Sequence, residues 1–284
     1  MKSDMQRYVV GVDGSAAAEA AIQWAGKLAT KTGAEIIAVH GFENPWAEVT
    51  PDDQARLIRE RNEELDGPWV RSASDAGASI RTSVQVGDPR NVIMAAAASE
   101  DASLVVLGRT GRGGGPGFLH LGSVVEHVAH HTRAPLAVVP STGSAAVNRI
   151  VVGVDGSTES LAAVEWCAEF AQMCGATVVA VAVSEPYMEW TASTSPKNWR
   201  RDVEQKIARW VAPIAAAGVT VDLVAQRDLH PADGLLGVAS ARGGDVLVIG
   251  TRGVGGFSGL RIGGVAMKVL HRTSLPLVLV PPPS

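Results

Sequence analysis

One stretch of this chain occurs twice. Tyr8-Val9-Val10-Gly11-Val12-Asp13-Gly14-Ser15 returns as Ile150-Val151-Val152-Gly153-Val154-Asp155-Gly156-Ser157, 142 residues further on. At the same distance Trp24 meets Trp166, Gly33-Ala34 meets Gly175-Ala176, and Pro89 meets Pro231. Gly108 meets Gly250 and Gly111 meets Gly253. Later the distance falls to 141, where His130 meets His271 and Pro135 meets Pro276. The first copy therefore carries one extra residue between about 112 and 122. Solenoid units repeat every 20–50 residues or so, so a period this long means two whole domains. The division reads as a first domain over 1–141, a linker over 142–148 and a second domain over 149–284. Small residues, Ser141-Thr142-Gly143-Ser144-Ala145-Ala146, make the join.

Each copy alternates strand and helix signals. Tyr8 to Val12 is a β-branched run that ends at Asp-Gly-Ser. Ala21, Ile22, Ala25, Leu28 and Ala29 then recur at helical spacing. A second strand spans Ile36 to His40, and a polar helix runs from about Asp52 to Ala76. A third strand spans Ile80 to Val86, a helix Asn91 to Ser99, and a fourth strand Leu104 to Leu107. A glycine-rich loop leads to a helix from Ser123, with Glu126 placed to complete a capping box. Leu136 to Val139 closes the domain. Four of these strands are apolar along most of their length, the mark of burial on both faces of a parallel sheet. The expected fold class is α/β: two tandem Rossmann-like, doubly wound domains, each with a five-stranded parallel sheet.

The charge balance excludes one broad class of function. With 25 basic against 29 acidic residues the formal net charge is −4. A protein that blankets nucleic acid needs a basic surface, so no nucleic-acid partner is expected. The apolar runs are strand-sized and fall short of the ~20 residues a membrane helix needs, so no membrane partner is expected either. The only two cysteines, Cys167 and Cys174, read as small core or half-buried residues, and so few cysteines fit a cytoplasmic protein.

In doubly wound sheets ligands bind beyond the carboxyl ends of the strands, where the winding reverses. The first strand ends at Asp13 and Asp155 in the two copies. The fourth ends at Gly108 and Gly250 and opens into a glycine-rich loop. Glycines let the backbone approach a phosphate and turn its N–H groups inward. Both loops then feed a helix N-terminus, whose open N–H groups and dipole favour an anion. The alternative is that the glycines only make a supple connection. Finding two such loops at the same place in two domains favours phosphate binding.

The spacing Gly-x2-Gly-x9-Gly-Ser/Thr, an Asp closing the first strand, and a final Pro-Leu-Ala-Val-Val-Pro strand resemble the universal stress protein family. The resemblance covers residues 7–140 and 149–281. It implies ATP as ligand, with magnesium arriving with the nucleotide. By position it places Asp13 and Asp155 beside the adenine and ribose, and the backbone of Gly41 and Val183, just after strand two, at the adenine edge. It gives ribose and phosphates to Gly108, Gly111, Gly122, Ser123 and Val124 in the first copy. In the second it gives them to Gly250, Gly253, Gly263 and Gly264. Neither copy fits fully. The first has ten residues between Gly111 and Gly122 where the pattern has nine, and the second has Gly264 where Ser or Thr is expected.

Other residues invite chemistry without carrying it. His127 and His131 stand at metal-ligand spacing, but HExxH is absent and a solvated helix face is the better reading, so no metal site is expected. His40 stands near the expected base and has only Ala182 as counterpart. Arg109, Arg112 and Arg252 lie in the loops and suit phosphates, or merely solvent. Trp46, Trp69, Trp190 and Trp199 fall in or beside the long crossovers, as lid or partner surface. No nucleophile elbow or Walker A lysine is present, so no catalytic residue is assigned.

The expectation is an ATP-binding, nucleotide-dependent regulatory or stress-response factor in the cytosol that acts on protein partners. Its rivals are a slow ATPase or adenylate-processing enzyme, and a nucleotide-free interaction module with decayed sites. The two domains are expected to pair within the chain through their last strands, which would otherwise expose apolar edges; a homodimer is the further possibility.

Overall fold

The computed structural model describes residues 6–43, 50–112, 121–142, 145–184, 198–254 and 261–283. It divides into two compact units, Met1–Ala146 and Val147–Ser284.

The first unit runs β1 (Arg7–Gly11), α1 (Ala16–Thr32), β2 (Glu35–Phe42), α2 (Pro51–Asp66), α3 (Arg71–Asp75), β3 (Ser79–Val86), α4 (Pro89–Ser99), β4 (Leu104–Gly108), α5 (Ser123–His131) and β5 (Leu136–Val139). Its strands lie in the order β3-β2-β1-β4-β5, and all are parallel. The second unit repeats this with β6 (Arg149–Gly153), α6 (Thr158–Cys174), β7 (Thr177–Ser184), α7 (Trp199–Trp210), α8 (Ala212–Ala216), β8 (Val221–Arg227), α9 (Pro231–Ala241), β9 (Val246–Gly250), α10 (Gly264–Arg272) and β10 (Leu277–Val280). Its order is β8-β7-β6-β9-β10, again parallel throughout.

The apolar runs form the inner strands. Val9, Val10, Ile36, Ile37, Val105 and Val106 are all buried, as are Ile150, Val151, Val178 and Val248 in the second unit. Each such side chain contributes about 1.5–3 kcal/mol relative to exposure. The edge strands β3 and β8 are only half-buried, which is why their sequences alternate more. Ser15 and Ser157 cap α1 and α6, each accepting from the backbone N–H three residues on at 3.2 Å.

Three local expectations need correction. The polar helix expected over 52–76 is two helices, α2 and α3, broken at Gly67-Pro68. Proline lacks the N–H that would continue α2 and its ring clashes with the preceding turn. Ser123 does not cap α5. The cap is Gly122, with no side-chain hydrogen bond, and Ser123 is the first helical residue. Strand β2 runs to Phe42, so Gly41 lies within it rather than after it; Val183 is likewise inside β7.

Candidate functional site

The strand order reverses between β1 and β4 in the first unit and between β6 and β9 in the second. At these points the chain leaves the sheet on opposite faces and a crevice opens. The residues singled out from sequence stand at the ends of these strands, in the neighbouring β2 or β7, and in the loops that follow.

Asp13 follows β1 and ties two segments together. Its Oδ1 accepts from the backbone N–H of Ser15 at 3.0 Å, and its Oδ2 from that of Arg112 at 3.0 Å. Asp155 does the same with Ser157 at 2.9 Å and Val254 at 3.0 Å. The carboxylate thus staples the strand-one turn to the glycine loop, a task the sequence did not reveal. Gly111 and Gly253 leave room for that carboxylate. A Cβ there would lie 2.8 Å from Asp13 Oδ2 and 2.4 Å from Asp155 Oδ2.

Gly108 and Gly250 have a packing reason of their own. A Cβ would meet the backbone of Ala17 at 2.4 Å, or of Glu159 at 2.6 Å, so the first turn of α1 or α6 rests on the strand end. Gly122 and Gly263 close each loop by donating to the carbonyls of Arg109 at 2.9 Å and Thr251 at 2.7 Å. They also cap α5 and α10 without a side-chain bond. Intrahelical pairing starts with the N–H groups of Glu126 and Met267. The first-turn N–H groups of Ser123, Val124 and Val125, and of Gly264, Val265 and Ala266, therefore precede the ladder, the arrangement that suits an anion. Ser123 is exposed and Val124 half-buried. The extra residue of the first loop falls in a stretch where residues 113–120 lie outside the described residues.

Gly41 and Val183 present backbone, although from within their strands. The carbonyl of Val39 accepts from Val12, and that of Phe42 from Gly87 on the β3 side. Backbone groups alternate sides along a strand, so those of Gly41 turn the same way as those of Val39, past the point where β1 has left the sheet. The bonds from Val154 to Val181 and from Asp228 to Ser184 give Val183 the same orientation. On the helix side the two copies have exchanged volume. A Cβ on Gly41 would lie 2.8 Å from Pro89 Cα and 2.9 Å from Val92 Cβ. In the second unit Val183 fills that space and the helix residue facing it is Gly234.

Sequence reasoning grouped Trp69 with the long crossover and missed that it lies over the strand-one turn, as Trp210 does in the second unit. Gly14 and Gly156 hold φ of +75° and +82°. A Cβ on either would lie 2.7 Å from Trp69 or 2.6 Å from Trp210. The signal was available: the two tryptophans stand 141 residues apart. In the first unit the group is larger. His40 meets Trp69 edge-on at 4.9 Å and stacks on Phe42 at 5.9 Å, and the Arg112 guanidinium lies 4.9 Å over the Trp69 ring. His40 Nδ1 is 2.7 Å from the Val12 carbonyl. A carbonyl brings no proton, so Nδ1 carries it and Nε2 is left as an acceptor. Burial is the main cause that holds His40 below its ordinary pKa. The second unit has Ala182, Ser184 and Val254 at the places of His40, Phe42 and Arg112.

The loop arginines differ in setting. Arg109 is buried, and desolvation lowers its pKa; Arg112 is exposed. Arg252 pairs with Glu159 at 2.6 Å. His127 and His131 stack on each other at 4.2 Å, and His131 Nδ1 bonds the His127 carbonyl. Among the described residues no group of three His, Cys, Asp or Glu is placed to hold a metal. Both cysteines are buried, and burial pushes the Cys167 thiol up to about 12. Trp46 and Trp190, read as lid or partner surface, lie outside the described residues. Among the described residues no helix is long and apolar enough to cross a membrane.

Comparison with known proteins gives one answer at three levels. The model of a family described as the universal stress protein family matches twice, over residues 5–140 and 146–281. A universal stress protein of Mycolicibacterium smegmatis is 26% identical across 96% of this chain and 96% of its own length. One from Mycobacterium tuberculosis is 27% identical across 95% of this chain and 93% of its own. Among solved structures, a universal stress protein from Archaeoglobus fulgidus superposes with a TM-score of 0.75 at 20% identity, over 99% of this chain and 100% of that one. That likeness speaks for the fold.

Proposed function

The chain belongs to the universal stress protein family, and from that premise we propose that it is a cytoplasmic, ATP-binding regulatory protein of the stress response. The observation that carries the reading is the arrangement at the β1/β4 reversal of strand order. There stand Asp13, the backbone of Gly41 turned to the β1 side, and a glycine loop leading into a helix N-terminus that no side chain caps. Asp13 and the Gly41 backbone suit the nucleoside. Gly108, Gly111, Gly122, Ser123 and Val124 suit ribose and phosphates, with magnesium carried in by the nucleotide. In the second unit Asp155, Val183, Gly250, Gly253, Gly263 and Gly264 occupy the same places.

A bound nucleotide has a way to change the surface. The Asp13 carboxylate holds the glycine loop through the Arg112 N–H. A ligand that competes for that carboxylate re-sets the loop, and with it whatever surface the loop shows to a protein partner. This makes ATP an effector rather than a fuel.

The test is isothermal titration of nucleotide-stripped protein with ATP and magnesium, beside Gly111→Ala and Gly253→Ala. Micromolar binding that weakens in one or both variants supports the reading. No heat with ATP, ADP or AMP ends it.

A further inference from the structure

We infer that the two crevices have diverged in ligand class: the first takes a nucleoside polyphosphate, while the second keeps the nucleoside end and no longer holds a polyphosphate chain. This rests on the nucleotide reading above, and it ranks the two sites.

The backbone groups and the carboxylate of the nucleoside ends match, although Ala182 and Ser184 stand where the first unit has His40 and Phe42. Asp13 and Asp155 make the same pair of backbone bonds, and Gly41 and Val183 turn the same backbone groups inward. The phosphate ends do not match, and four paired positions show it.

Arg112 and Val254 donate the same backbone bond to the same carboxylate oxygen, both at 3.0 Å. Their side chains therefore leave the loop from equivalent points. In the first unit a guanidinium lies there, 4.9 Å over Trp69 and beside the Gly14 turn, where a Cβ would come within 2.7 Å of its Nη2. In the second there is an aliphatic side chain, 74% exposed. A planar cation on the loop beside the strand-one turn offers a phosphate a forked donor, and valine offers nothing.

The arginines at the root of the loop, just after the fourth strand, differ as well. Arg109 is replaced by Thr251, which is buried with its hydroxyl unpartnered among the described residues. Arg252 is in the second loop, but the Glu159 carboxylate holds it at 2.6 Å. The place of Glu159 in the first unit is taken by the buried Ala17. A phosphate would have to win Arg252 from a carboxylate that is already paired. Finally, Ser123 offers a hydroxyl from the first helical residue, where Gly264 has none. A Cβ on Gly264 would find nothing within 4 Å, so packing does not demand the glycine.

The experiment titrates the full chain with ATP and with adenosine. Wild type should take one tight equivalent of ATP. Arg112→Ala/Ser123→Ala alters two exposed side chains, so folding is not at risk. It should weaken that ATP equivalent by about tenfold or more, the worth of a charged hydrogen bond, and weaken adenosine binding by a clearly smaller factor. Val254→Arg/Gly264→Ser should add a second ATP equivalent. Two ATP equivalents of similar affinity in wild type would overturn the divergence and leave the nucleotide reading standing. So would unchanged ATP affinity in the Arg112/Ser123 variant. Failure of ATP and adenosine to bind at all would overturn both.

Discussion

Two residues illustrate how a single side chain decides its neighbourhood. Gly41 is small because Pro89 and Val92 stand against it, while the second unit solves the same strand–helix contact with Val183 on the strand and Gly234 on the helix. Volume is conserved across the contact rather than at either position. Gly41→Val should therefore destabilise by about 1–3 kcal/mol, read from denaturant unfolding. Adding Val92→Gly should recover part of that, because Pro89 Cα still crowds the new side chain; a double variant no better than the single would refute the exchange. His40 is the second case. Its pKa is held below the ordinary 6.5, chiefly by burial and also by the Arg61 and Arg112 charges, against the Val12 bond and Asp13. Above 6.5 neither folded nor unfolded His40 binds the proton. Below it the unfolded chain takes the proton first, so stability falls with falling pH until folded His40 titrates too. A thermal melt series from about pH 7.5 to about pH 5 should show this slope, and His40→Ala should flatten it.

At the scale of elements, the glycine loop is less slack than its composition suggests. Its root is closed by the bond from Gly122 to Arg109, and its middle by the bond from Arg112 to Asp13. Asp13→Ala removes the charged acceptor of two amides, each such bond being worth about 1.5–3 kcal/mol and less where water competes. Amide exchange at Arg112 should then speed up markedly while β1 and β4 stay protected; unchanged exchange would mean that the carboxylate does not hold the loop. The sequence pointed to this loop through its glycines but not to the staple, because hydrogen-bond partners 99 residues apart leave no periodic trace. It also misplaced the α5 cap. Ser123 with Glu126 satisfies the spacing of a capping box, yet the loop closes through the Gly122 N–H and so fixes Gly122, not Ser123, as the last non-helical residue. The break between α2 and α3 was legible in Gly67-Pro68, but the polar pattern ran through it.

Across the whole molecule, duplication supplies an internal control: the same fold carries two versions of one crevice. With ATP at about 100 times its dissociation constant, binding should stabilise the occupied unit by ~2.7 kcal/mol. Hydrogen exchange followed peptide by peptide should therefore show β1, β4 and the start of α5 gaining more protection than β6, β9 and the start of α10. Equal gains in both units would contradict unequal sites. The sequence alone determined the tandem repeat, the α/β class, the buried parallel strands and the placing of a candidate crevice at the ends of β1 and β4. These follow from local pattern: β-branched runs, helical spacing and glycines at fixed offsets. Only the tertiary structure decided that Asp13 staples the loop, that Trp69 and Trp210 cover the strand-one turns, that Arg252 is already spent on Glu159, and that Gly41 and Gly234 trade volume with their partners. These relations join residues far apart in the chain. They come into being only when packing brings the segments together, and each depends on distances that composition and spacing do not encode.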